Sequence, residues 1–165
     1  MRLALVTGPP GQVGAAGAAL DRAGFDVVGW ETATPPPRHG GPFDCYVQLP
    51  CAGAETGGGA GTGSRRAVEE LVCRIDALAA VAGRLGPTAS ILLGVNESGP
   101  SDDPGSGTLA PDLLAAVALA LLEDLGRPAA RVAVLPVADL CRPWAQARLD
   151  DVQWEMPTPP LVSAP

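Results

Sequence analysis

Residues 2–31 constrain this chain more than any other stretch. They run apolar strand, glycine turn, helix, strand, acid. Leu3-Ala4-Leu5-Val6 is a short apolar run. Thr7-Gly8-Pro9-Pro10-Gly11-Gln12-Val13-Gly14 follows, then an Ala-rich helical segment over Gln12–Ala23 that Gly24 caps, then Phe25–Trp30 and Glu31. A strand that feeds a helix through glycines and returns as a second strand is a βαβ start. It commits the chain to a parallel sheet with right-handed crossovers.

Three more apolar runs predict strands: Asp44–Leu49, Ile91–Val95 and Arg131–Val137. They are continuous rather than alternating, as strands covered on both faces are. Arg65–Leu85 predicts an amphipathic helix, with Val68, Leu71, Val72, Ile75, Leu78, Ala82 and Leu85 on one stripe and Gly86-Pro87 ending it. Asp112–Leu125 predicts a helix apolar nearly all round, which must be covered on more than one side. About a dozen residues, rich in Pro and Gly, join Glu31 to the next strand, too few for a further helix–strand–helix. The expectation is one α/β domain over residues 1–152, with helices on both faces of about five parallel strands. Residues 153–165 form a Pro-rich tail.

Composition narrows the function. Eleven arginines and no lysine stand against 18 acidic residues, for a net charge of −7. Nucleic acid and anionic membranes need a basic face, so neither is expected as a partner. No apolar run has the length of a membrane span, and the direct entry into a strand predicts that no signal peptide is present. These features predict a cytoplasmic protein, and the Ala, Gly, Pro and Arg bias fits a GC-rich bacterial gene. Cys45, Cys51, Cys73 and Cys141 show no CxxC spacing and predict reduced, buried thiols.

The glycines carry the candidate site. Gly8 allows a tight turn, Gly11 lets backbone approach a pyrophosphate, and Gly14 lets helix and strand pack closely. Pro9 and Pro10 remove two amide donors. Donors are expected at Gly11, Gln12, Val13 and Gly14, at a helix start that favours anions. Glu31 falls 20 residues after Gly11, where an acid binds ribose hydroxyls and would reject a 2′-phosphate.

Val6-Thr7-Gly8-Pro9-Pro10-Gly11-Gln12-Val13-Gly14 resembles the TGxxGxxG turn of the extended and atypical branches of the short-chain dehydrogenase/reductase family. Asp44-Cys45-Tyr46-Val47 with Ala52-Gly53 is similar to that family's fourth strand and NAG motif, with two extra residues and no Asn. Ile91–Ser98 is similar to its fifth strand, which ends at a catalytic Ser. Asp112–Val134 is similar to the helix and strand that follow. The resemblance covers roughly residues 2–137, and only the first motif is specific. It implies a reduced Rossmann-like sheet of order 2-1-4-5-6 in the family's strand labels. It also implies NAD as the cofactor if one is retained, with Thr7, Gly8, Gly11, Gln12, Val13, Gly14 and Glu31 at that site and Ser98 as the remaining catalytic position. In the family the pair formed by helices 65–85 and 112–125 makes a dimer interface. That implies a homodimer, or a heterodimer with an active relative.

The departures weigh against dehydrogenase chemistry. The family's Tyr-x-x-x-Lys should begin near Gly107-Thr108, and neither residue is there. Asp102, Asp103 and Asp112 are ionised acceptors at neutral pH, not donors. His39 is the chain's single histidine, so a His-based metal site is excluded, and no metal is expected at Asp102-Asp103. Gly57–Gly63 has no following Lys and is no P-loop. No GxSxG elbow occurs. The expectation is a degenerate dehydrogenase-like protein, without the activity, that works through protein contacts or vestigial nucleotide binding. The alternative is an NAD(P)-dependent oxidoreductase, or a cofactor-independent cyclase or isomerase, with an atypical site.

Overall fold

The computed structural model describes residues 2–31, 34–38, 40–51, 63–96 and 109–141. Five strands form one parallel sheet: β1 (Arg2–Thr7), β2 (Phe25–Trp30), β3 (Phe43–Gln48), β4 (Leu85–Val95) and β5 (Arg131–Pro136). Their order is β2-β1-β3-β4-β5, which agrees with the expected order 2-1-4-5-6 when the strands are numbered along this chain. Helices α1 (Pro10–Arg22), α2 (Gly63–Ala82) and α3 (Pro111–Asp124) provide the crossovers, and the single turn α4 (Val137–Leu140) follows β5.

The two faces of the sheet divide the apolar residues by strand alternation. On one face Leu5, Tyr46, Ile91, Leu93 and Val132 pack with Leu78, Val81, Leu114, Ala118 and Leu122 from α2 and α3. On the other, Ala4, Val6, Cys45, Val47, Leu92 and Ala133 pack with Ala16, Ala19 and Leu20 of α1 and Leu140 of α4. Ala, Val and Leu make up most of the core, and Phe25, Trp30, Phe43 and Tyr46 are buried among them.

The α1 crossover is closely packed. A Cβ on Gly29 of β2 would sit 3.1 Å from Val13, and one on Gly17 would sit 3.4 Å from Val27. These two glycines bring α1 against β2. A Cβ on Gly14 would meet nothing, so the close-packing role expected of the third fingerprint glycine passes to Gly29 and Gly17. The reason is rotational: Gly14 lies on the exposed side of α1.

One boundary and one pattern of burial differ from expectation. Arg65–Leu85 was expected to be helical up to Gly86-Pro87. The helix instead ends at Ala82, and β4 begins at Leu85, six residues before the expected Ile91. Leu85 pairs with Phe43 and Ser90 with Cys45, so an irregularity in the ladder accommodates Gly86 and Pro87 within the strand. Pro87 and Thr88 are exposed there, where a missing amide donor does no harm. The second difference is in α3. Leu114, Ala115, Ala118 and Leu122 are buried, but Leu113 stays 48% exposed.

The link from β2 to β3 holds no helix or strand among its described residues. A turn closes it at one end, where Thr34 N donates to Glu31 O at 2.9 Å and Trp30 Nε1 donates to Thr34 O at 2.9 Å. At the other end Gly40 and Gly41 have positive φ, Pro42 follows a cis peptide bond, and Phe43 N donates to Arg84 O at 2.9 Å. Among the described residues no helix is long and apolar enough to cross a membrane.

Candidate functional site

The strand order reverses between β1 and β3, so their carboxyl ends form the crevice where open α/β sheets receive ligands. Local hydrogen bonding orders the floor of that crevice. Leu49 N donates to Thr7 O at 2.8 Å and carries the β1–β3 ladder one residue further. Gly8 N donates to Trp30 O at 3.3 Å and ties the glycine turn to β2. Gly8 is buried, and a Cβ there would lie 2.6 Å from Leu49 Cβ. Gly8 is therefore a glycine because Leu49 occupies the space beside it.

The donor set at the turn is poor. Pro9 and Pro10 have no N–H. Gln12 N and Val13 N both donate to Pro9 O, at 3.1 and 3.0 Å. Gly11 is left as the first-turn amide not engaged by Pro9. Gly11 and Gly14 are exposed and a Cβ on either would meet nothing, so no cradle closes around them. Thr7 Oγ1 and Gln12 Oε1 are buried without a hydrogen-bond partner, and both are closed off from solvent. Glu31 is exposed at the end of β2. The structure thus brings Thr7, Gly8, Gly11, Gln12, Val13, Gly14 and Glu31 to one end of the sheet. It gives them too few free amides to fit a diphosphate, whose recognition rests on several backbone donors at once.

A second hollow, of about 410 Å³, lies between the end of β4 and the start of α3. Glu70, Arg74, Val95, Asn96, Leu109, Ala110 and Pro111 line it. Its organiser is Arg74, which is 1% exposed. Its Nη2 donates to Gln48 O at 3.2 Å and also to Gly94 O, and its Nε donates to Gln48 Oε1 at 3.4 Å. Nη1 donates to Glu70 Oε1, one helical turn earlier, at 3.4 Å. Gln48 Nε2 returns a bond to Arg74 O at 2.8 Å. Burial pushes the guanidinium below its ordinary value, and Glu70 opposes that shift. Nε, Nη1 and Nη2 all bond to protein oxygens, so Arg74 clamps α2 onto the ends of β3 and β4.

Tyr46 lies beside this clamp, fully buried on the face that α2 and α3 cover. Among the described residues its hydroxyl makes no hydrogen bond of good geometry, and Gln48 and Arg74 are its polar neighbours. Burial raises its pKa well above the ordinary phenol value. The phenol is therefore enclosed by the α2 face of the core and held in its protonated form.

Ser98, the candidate catalytic residue, lies outside the described residues, as do His39, Asp102, Asp103 and the 153–165 tail. Sequence reasoning missed Arg74, Glu70 and Gln48. The signals were present: an acid and an arginine four apart on a helix, and a lone polar residue closing an apolar strand. Neither identifies its partner without the fold. Among the described residues no group of three or more His, Cys, Asp or Glu could hold a metal ion.

Sheet order, crossovers and crevice together define a Rossmann-like α/β protein. Compared with protein-family models, curated protein sequences and solved structures, the chain matches none.

Proposed function

We propose that this chain is a degenerate short-chain dehydrogenase-like protein that does not reduce carbonyls and acts through protein contacts. The observation that carries the reading is the state of the chain's one tyrosine. In the family it resembles, a tyrosine hands a proton to the substrate oxygen and a lysine lowers its pKa. Here Tyr46 is sealed in the core and its pKa is raised, and the sequence contains no lysine. The amide-poor turn at Pro9-Pro10 supports the same reading. Nucleotide affinity at that turn is vestigial, and Glu31 directs what remains towards NAD rather than its 2′-phosphorylated form.

The test is a fluorescence titration of the full-length protein with NADH and NADPH, followed by turnover on a panel of ketones. General acid catalysis supplies about 10²–10⁴ in rate, so consumption of NADH should match a Gly14→Trp control. Saturable consumption well above that control would overturn the reading.

The contact surface we assign is the outer face of α2 and α3. Val68, Val72 and Leu113 are 59, 51 and 48% exposed there. Val68 and Val72 border a groove of about 640 Å³ that runs from α2 to Trp30, Thr34 and Pro36. Soluble monomers seldom leave such an apolar patch bare, and a twofold dimer would cover it with its own copy. Light scattering at micromolar concentration should give twice the 16.6 kDa chain mass, and Val72→Asp should return it to the chain mass. A wild-type monomer with no partner in its native extract would refute the contact.

A further inference from the structure

We infer that Cys51 and Cys73 form a redox-active pair whose oxidation creates a disulfide between the end of β3 and α2. The two sulfurs lie 2.6 Å apart although the residues are 22 apart in sequence. A disulfide bond is about 2.05 Å long, so a small closing movement joins them. Both residues are partly buried, whereas Cys45 is fully buried on the opposite face of the sheet. The pair is therefore specific in position: Cys51 sits three residues past the end of β3, and Cys73 precedes Arg74 and faces the α2 groove.

The chemistry is thiol–disulfide exchange with a low-molecular-weight disulfide as oxidant. Cys73 lines the groove, which Cys51 does not, and the first attack is assigned to it. Its thiolate attacks one sulfur of RSSR. The reagent's S–S bond breaks, one RS⁻ leaves and takes up the proton that Cys73 lost, and a mixed disulfide remains on Cys73. Cys51 then attacks the Cys73 sulfur and displaces the second RS⁻, which receives the Cys51 proton. Two protein thiols and one RSSR become one protein disulfide and two RSH. The protein gives up two electrons and the reagent takes them. Burial raises the Cys51 thiol above its ordinary value, and the neighbouring Cys73 adds to the shift.

The consequence is local. Arg74 already binds Gln48 O and Gln48 Oε1. A covalent bond one residue before Arg74 on α2, reaching three residues past Gln48, fixes the same junction and one wall of the groove.

The test uses the full-length protein equilibrated in buffers of increasing oxidised-to-reduced glutathione ratio, acid-quenched and alkylated. Two of the four thiols should become protected together, with a mass lower by two hydrogens and no retained glutathione. Chymotryptic cleavage after Tyr46 separates Cys45 from Cys51, and tryptic cleavage after Arg66, Arg74 and Arg131 separates Cys51, Cys73 and Cys141, so the unaltered protein should yield one cross-link, between the Cys51 and Cys73 peptides. Cys51→Ser should stop at a single glutathione adduct on Cys73, and Cys45→Ser should behave as the wild type. A cross-link that includes Cys45 or Cys141, a covalent dimer, a stable adduct in the wild type, or four thiols still open to alkylation at the most oxidising ratio would each overturn the inference.

Discussion

Arg74→Met is expected to lower unfolding stability by about 3–5 kcal/mol, the usual loss when one partner of a buried ionic network is removed. Methionine keeps most of the apolar stem, so the loss reports the guanidinium. Its removal takes a donor from Gln48 O, Gly94 O and Gln48 Oε1, in a place closed to water. Domains of this kind hold about 5–15 kcal/mol in all, so a large part of the stability rests on this side chain. The urea midpoint should fall by roughly 2 M, given slopes of about 1–3 kcal/mol per M. Glu70→Gln provides the contrast. Its carboxylate is 17% exposed and 3.4 Å from Nη1, and the change should lower stability by about 1 kcal/mol or less. If Arg74→Met unfolds within 1 kcal/mol of the wild type, the clamp contributes nothing that packing does not.

Gly8→Ala is the second large effect, with an expected loss of about 1–3 kcal/mol, the range for forcing an extra methyl into a filled core. The added carbon would lie 2.6 Å from Leu49 Cβ. Leu49 cannot retreat easily, because it is 1% exposed and its amide is bonded to Thr7 O. Gly11→Ala and Gly14→Ala should behave in the opposite way. Neither carbon meets anything, and alanine in helical backbone is favoured over glycine by about 0.5–1 kcal/mol. Thermal melts of the three variants should therefore split one against two. Equal losses at all three glycines would mean that the turn is held by something other than Leu49.

The βαβ start, the strand order and a link from β2 to β3 with no helix or strand among its described residues were legible because each depends on local pattern. Leu3–Val6 and Phe25–Trp30 are apolar runs on either side of a glycine turn, and the link after Glu31 is too short and too rich in proline for another crossover. The early start of β4 was not legible. Gly86-Pro87 is a breaker by local rule, and it became part of a strand because Leu85 finds a register with Phe43 across the sheet. The candidate site divides in the same way. The turn residues could be found from glycine spacing, but their donor capacity depended on where Gln12 and Val13 sent their amides.

The sequence by itself determined that this chain forms a parallel α/β sheet, that it carries no lysine, and that its single tyrosine lies in a strand. Those properties follow from composition and from hydrophobic runs, which act within a few residues. Only the tertiary structure decided that Tyr46 faces α2 with its hydroxyl closed in, that Arg74 joins Gln48 and Gly94, and that Cys51 meets Cys73. These pairs are separated by 20 residues or more, and a parallel crossover brings them together. Spacing along the chain holds no record of that contact, because the sheet register and the seating of α2 set it.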